Sequence, residues 1–228
     1  MLRHAERELI DDPQVDPRAL LTSLQGIEGA NRHFGGHAVV LRELERLHRA
    51  GLPVARVIDV GAGFGDLAEA VVAWGRRHGA EIEVLCIDRN PAVLEIARRR
   101  RAALASVRFA QGDGRSLDLE NHAADVALCT LTLHHLEPEE AVDLLRELRR
   151  ISRLTPVVAD LVRGALPYAL VWLWSRVIAR DALSRHDGPL SVRRAYTPGE
   201  ALALARRAGW HAPRVRVSAR LRMVLTDG

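Results

Sequence analysis

The densest chemistry in this chain lies at 57–71, VIDVGAGFGDLAEAV. An apolar run ends in Asp59, glycines follow at 61, 63 and 65, and a helical pattern begins at once. Glycine lets a backbone come close to a ligand, and the first N–H groups of a helix are unpaired donors. A dinucleotide fingerprint would place its third glycine where Asp66 stands, so the spacing is instead D-x-G-x-G-x-G. Two more acids follow. Asp88 closes VLCID, 23 residues after Gly65, where a carboxylate can accept both hydroxyls of a ribose. Asp113 lies just past the next apolar run, in RFAQGDG. One strand-end acid is often structural; three on successive strands of one sheet edge, beside a glycine loop, are hard to dismiss as structural alone.

The elements that must position these residues follow from periodicity. Short apolar runs at 57–60, 83–87, 107–110, 126–130 and 157–161 alternate with amphipathic helical stretches, the pattern of a parallel α/β sheet. Asn90-Pro91 supplies a cap and an N1 proline, and Thr197-Pro198-Gly199-Glu200 is a capping box with Gly209 behind its helix. The alternating segments 214–217 and 221–225 predict an antiparallel terminal pair. Residues 1–50 look helical, at 17–27 and 37–50 around GANRHFGG. The expected fold is Rossmann-like: a seven-stranded, mainly parallel sheet with an antiparallel C-terminal strand, helices on both faces and a helical lid.

The D-x-G-x-G-x-G loop followed by Asp88 and Asp113 resembles the class I S-adenosylmethionine-dependent methyltransferases, over about residues 54–225. The resemblance implies that S-adenosylmethionine binds here. Gly61 and Gly63 would approach its methionine portion, Asp59 would support the loop with Gly65, Asp88 would take the ribose and Asp113 the adenine. Arg89 and Gly114, beside those acids, join the implied set. In related enzymes a leading helix closes over the cofactor carboxylate, which Arg32 could meet bidentately.

The fourth strand runs into Cys129-Thr130-Leu131-Thr132-Leu133-His134-His135. The Asn/Asp-Pro-Pro-aromatic motif of amino-methylating nucleic-acid enzymes is missing. So is the carboxylate of magnesium-dependent catechol enzymes, and transfer without a divalent ion is the expectation. The Leu-His-His-Leu run resembles the branch containing ubiquinone and menaquinone methyltransferases and many natural-product enzymes. That branch implies a small, usually aromatic acceptor methylated on oxygen or carbon. A phenol of pKa ~10 must lose its proton, and neutral histidine is the usual base near pH 7. His134, His135 and His186 are the candidates. Two neighbouring histidines should not both face one pocket, which assigns His134 to the cofactor side. His186, in a loop with Asp187 at hand, is left for the acceptor.

Residues 162–196 form a connection longer than usual, expected to be a substrate lid. Within it, 166–178 (LPYALVWLWSRVI) is apolar nearly all round. Such a helix is buried, dimerised or laid on an apolar ligand. Tyr168, Trp172 and Trp174 are its acceptor-contact candidates, and a homodimer stays open. The run at 98–101, four arginines ending a helix with no interleaved aromatics, is expected to be a solvated face.

Composition narrows the classes. The 228 residues are 48% hydrophobic and 27% charged, an ordinary globular balance that fits one α/β domain with lids. The expected organisation is an N-terminal helical lid at 1–50 and a catalytic domain at 51–228. Lysine is absent, which excludes Schiff-base chemistry. Net charge is only +4, so basicity alone does not indicate nucleic acid. Cys86 and Cys129 lie in core-strand runs and suggest neither disulfide nor metal, hence a reducing, cytoplasmic setting. The longest apolar window falls short of the ~20 residues that span a bilayer. The expected function is methyl transfer to a small hydrophobic phenol or quinol-like metabolite. An RNA methyltransferase and a non-catalytic S-adenosylmethionine-binding partner of a biosynthetic protein are the alternatives.

Overall fold

The computed structural model describes every residue except 13, 34, 35, 180 and 220, and leaves the side chains of 32 and 33 undescribed. Seven strands make one sheet: β1 (Arg56–Val60), β2 (Glu83–Asp88), β3 (Val107–Gln111), β4 (Ala124–Thr130), β5 (Ser152–Leu161), β6 (Pro213–Val217) and β7 (Arg222–Asp227). Their order is β3-β2-β1-β4-β5-β7-β6; the first five are parallel and β7 runs antiparallel to both neighbours. The chain reverses its direction of progress between β1 and β4. In open α/β sheets that switch point, at the carboxyl ends of the strands, is where ligands bind.

Alternate residues of each strand feed two apolar layers. Ile58 and Val60 face α5 (Pro138–Ile151) and α8 (Pro198–Arg207), where Leu144, Leu145, Leu148 and Leu204 are buried. Val57 and Leu128 face α2 (Gly36–Arg49) and α3 (Asp66–Arg77), through Leu44, Val71 and Trp74. Fully burying one such leucine contributes about 1.5–3 kcal/mol, so these layers fix the sheet edge on which the acids stand. Cys86 and Cys129 are buried and free, with thiol pKa values pushed up chiefly by burial. The predicted caps form: Asn90 accepts from Ala92 and Val93 ahead of α4 (Pro91–Arg100), and Thr197 and Glu200 close the box on α8.

Three expectations change. The described residues among the first 16 are not helical apart from one turn, Leu9–Asp11; they form an extended strap across the sheet's carboxyl edge. Helix α1 (Pro17–His33) then runs on through GANRH, because its apolar face packs against Phe64 and Val93. The 162–196 connection is two helices, α6 (Ala165–Val177) and α7 (Ala182–Arg194), so His186 sits on a helix and not in a loop. The arginine run is largely a solvated face as expected, exposed at 98–100, while Arg100 and Arg101 also grip Glu28 at 2.5 and 2.6 Å, tying α1 to α4. Among the described residues no helix is long and apolar enough to cross a membrane.

Candidate active site

The glycine loop is shaped by what packs beneath it. Gly61 has φ +72°, and a Cβ there would come within 2.2 Å of Thr132 Oγ1. Gly63 has φ +52° and open space where its Cβ would be. The loop is held by Asp88, whose Oδ2 accepts from the Gly63 N–H at 3.0 Å while Oδ1 accepts from Asn90 N–H at 2.9 Å. Burial raises the Asp88 pKa against these two bonds. Asp59 does not support the loop as expected: it is 2% exposed and its Oδ1 has no hydrogen-bond partner among the described residues. Burial, and then the charges of Asp66 and Asp88, push its pKa well above the usual carboxylate value. Asp66, the residue that spoils the dinucleotide fingerprint, begins α3 and accepts from His37 Nε2 at 2.7 Å. Burial raises its pKa, but the His37 bond outweighs this and the net shift is downward.

The rim is looser. Asp113 is held by Arg115 Nη2 at 2.6 Å, which keeps its pKa low. Gly114 serves packing: a Cβ there would reach 2.4 Å from Val60. Arg89 reaches back to Asp11 of the strap at 2.6 Å. Arg32 lies on α1, but its side chain is outside the described residues.

Past β4 the backbone is strained at Leu131, a non-glycine residue with φ +54°. That bend presses Thr132 onto Gly61 and turns the chain into a short helical turn, Leu133–His135. The two histidines do not diverge, because the turn is helical and not extended. Their rings lie 4.3 Å apart, and both Nε2 atoms face the Glu8 carboxylate, at 3.4 Å from His134 and 3.8 Å from His135. Each Nδ1 meets another acid at 2.6 Å, Asp160 for His134 and Asp11 for His135. Burial would lower the His135 pKa, but Glu8, Asp11 and Asp160 outweigh it and raise it to about 9. The strand end that lacks a carboxylate in sequence thus gains three, from the strap and from β5.

His186 keeps the acid expected for it: Nδ1 lies 2.8 Å from Asp187 Oδ1, and the imidazole is partly exposed. Asp187 in turn accepts from Leu9 and Ile10 N–H of the strap, both at 2.9 Å. Arg194, fully buried, donates to the carbonyls of His134, His135, Ala5 and Glu6, joining strap, turn and α7. On α6, Tyr168 and Trp174 are half-buried, and Val171 meets α7 at Gly188. Leu166, Leu170, Trp172, Leu173 and Val177 are exposed, with Arg176 over the Trp172 ring. The helix is therefore not buried within this chain.

Sequence reasoning missed Glu8, Asp11, His37, Asp160 and Arg194. Asp160 carried the signal that singled out Asp59 and Asp88, an acid near the end of a buried strand. The others carried none that sets them apart from the chain's many charged residues.

With this geometry in place, comparison gives the class. Residues 57–154 match the family described as methyltransferase domain. The sheet order and the acid-lined glycine loop agree, and this segment is a methyltransferase domain of the class I, S-adenosylmethionine-dependent kind. The ubiquinone/menaquinone biosynthesis C-methyltransferase of Idiomarina loihiensis is 31% identical over 101 residues, 43% of this chain and 38% of that one. The malonyl-[acyl-carrier protein] O-methyltransferase of Halorhodospira halophila is 28% identical over 147 residues, 62% of this chain and 47% of the relative. The chain thus spans less than half the length of these curated relatives. A SAM-dependent methyltransferase from Aquifex aeolicus shares the fold, with TM-score 0.65 at 17% identity over 93% of this chain and 98% of that one.

Proposed function

We propose that this chain transfers the methyl group of S-adenosylmethionine to oxygen or carbon of a small hydrophobic phenolic or quinol-like molecule. The observation that carries the reading is the buried Asp59 carboxylate, whose Oδ1 has no hydrogen-bond partner among the described residues, beside Asp66 and Asp88 at the glycine loop. Three acids at one loop repel a pyrophosphate but suit a ligand whose sulfonium and ammonium groups are both cationic. S-adenosylmethionine is such a ligand, and when bound it supplies an electrophilic methyl group. Asp88 keeps lone pairs for ribose hydroxyls, Gly61 and Gly63 offer close backbone approach, and Asp113 stands at the adenine end.

For the acceptor, α6 and α7 form the lid, with Tyr168 and Trp174 on the inward side. His186 serves as the base, its Nδ1 held by buried Asp187 so that Nε2 is the proton-accepting atom. In-line methyl transfer needs close alignment, so positioning under this lid supplies much of the rate. The test is to incubate the chain with labelled cofactor and a panel of apolar phenols and quinols, and to follow methylated product by mass. Turnover on a member of that panel supports the reading. Methylation of RNA alone, or cofactor binding with no turnover, moves the chain to one of the two alternatives.

A further inference from the structure

The Glu8–His134–His135 cluster has no part in the methyl-transfer chemistry described above, and its geometry asks for an occupant. Glu8 and His134 are 5% and 3% exposed, and Glu8 Oε1 is buried without a hydrogen-bond partner. Glu8 Oε1 lies 3.4 Å from His134 Nε2, Glu8 Oε2 lies 3.8 Å from His135 Nε2, and the three ligating groups fall within 4.8 Å of one another. A tetrahedral ion with metal–ligand bonds of about 2.0–2.2 Å separates its ligand atoms by about 3.3–3.6 Å. Behind each ring stands a carboxylate at 2.6 Å from Nδ1, Asp160 for His134 and Asp11 for His135. Such partners fix the tautomer that leaves Nε2 free to ligate and raise its basicity.

From this arrangement we infer that Glu8, His134 and His135 form a binding site for a zinc-class divalent cation. Two imidazoles and a carboxylate suit a borderline first-row ion better than magnesium, which prefers oxygen ligands. The charge agrees: three carboxylates meet two imidazoles, and Arg89 reaches Asp11 at 2.6 Å. Because Glu8 comes from the strap and the histidines from the end of β4, the ion closes the strap over the sheet edge. The competing occupant is a proton, which would make an imidazolium between Glu8 and Asp11.

The test uses the full chain, dialysed against chelator and titrated with Co2+, which reports its ligand field by visible absorption. A single equivalent, displaced by Zn2+, is expected. Affinity should fall by about 10–100-fold in Asp11→Asn, an outer-shell change, and by more in Glu8→Gln and His135→Asn. No saturable Co2+ spectrum in the wild type, or unchanged binding in folded Glu8→Gln, overturns the site and leaves the proton as occupant. Should Glu8→Gln fail to fold, X-ray absorption of the wild-type cobalt complex decides: two imidazole ligands support the site, and fewer overturn it. These readouts are independent of methyl transfer.

Discussion

Asp59→Asn should make the ligand-free chain more stable and the cofactor complex weaker. Asp59 is 2% exposed, its Oδ1 is unpartnered, and Asp66 and Asp88 add like charge, so its carboxylate costs folding energy. An unsatisfied buried polar group costs about 1–3 kcal/mol, and more when charged. Removing the charge recovers part of that, and at about 2–4 °C per kcal/mol for a domain of this size the Tm should rise by about 2–10 °C. The sign with pH follows from the raised pKa. The folded state holds the Asp59 proton above the unfolded pKa of about 3.9, so wild-type stability falls as pH rises through that window. The difference between Asn and Asp variants therefore grows upward from pH ~4 and levels off above the folded pKa. Losing the carboxylate also removes a charge partner for the cofactor's cationic groups. A loss of about 1.5–3 kcal/mol corresponds to about 10–150-fold in Kd. Scanning calorimetry without ligand and isothermal titration with S-adenosylmethionine measure the two effects. A less stable Asn variant with unchanged affinity would refute the reasoning.

The same geometry sets three more expectations. Gly61→Ala combines left-handed backbone strain of about 1–2 kcal/mol with a clash against Thr132, so cofactor affinity should drop at least about tenfold. Thr132→Ala in the same chain should restore part of it, as titration would show. Arg194→Ala leaves several buried carbonyls of the strap and turn without their donor; breaking such a buried charged network costs about 3–5 kcal/mol and should lower Tm by about 6–20 °C. His186→Ala should lower kcat by about 10²–10⁴-fold while cofactor affinity holds; near-wild-type kcat would dismiss it as the base.

The sheet was largely legible because period-two apolar runs and their caps are local signals. Where reading failed, a distant contact had decided. β5 begins at Ser152, not 157, although Pro156 argues against a strand crossing it. Arg153, pairing at 2.7 Å with Asp125 of β4, helps hold that stretch in the sheet. Gly188-Pro189 suggests a loop, yet both residues lie inside α7, where a bare Gly188 lets Val171 and Ser175 of α6 pack close. The candidate cofactor acids were legible in the sequence because each sits at or just past a strand end. The histidine cluster was visible only by half: His134 and His135 are adjacent in sequence, but Glu8 and Asp11 reach them from the strap.

The central claim is that the acid-lined glycine loop is a site for S-adenosylmethionine. Isothermal titration of the full chain with S-adenosylmethionine, its demethylated product and NAD tests it most directly. The account predicts one-to-one binding of the first two at micromolar levels, weakened in Asp59→Asn and Asp88→Ala, and no heat with NAD. Saturable binding of NAD without binding of either methyl-cycle ligand would contradict it.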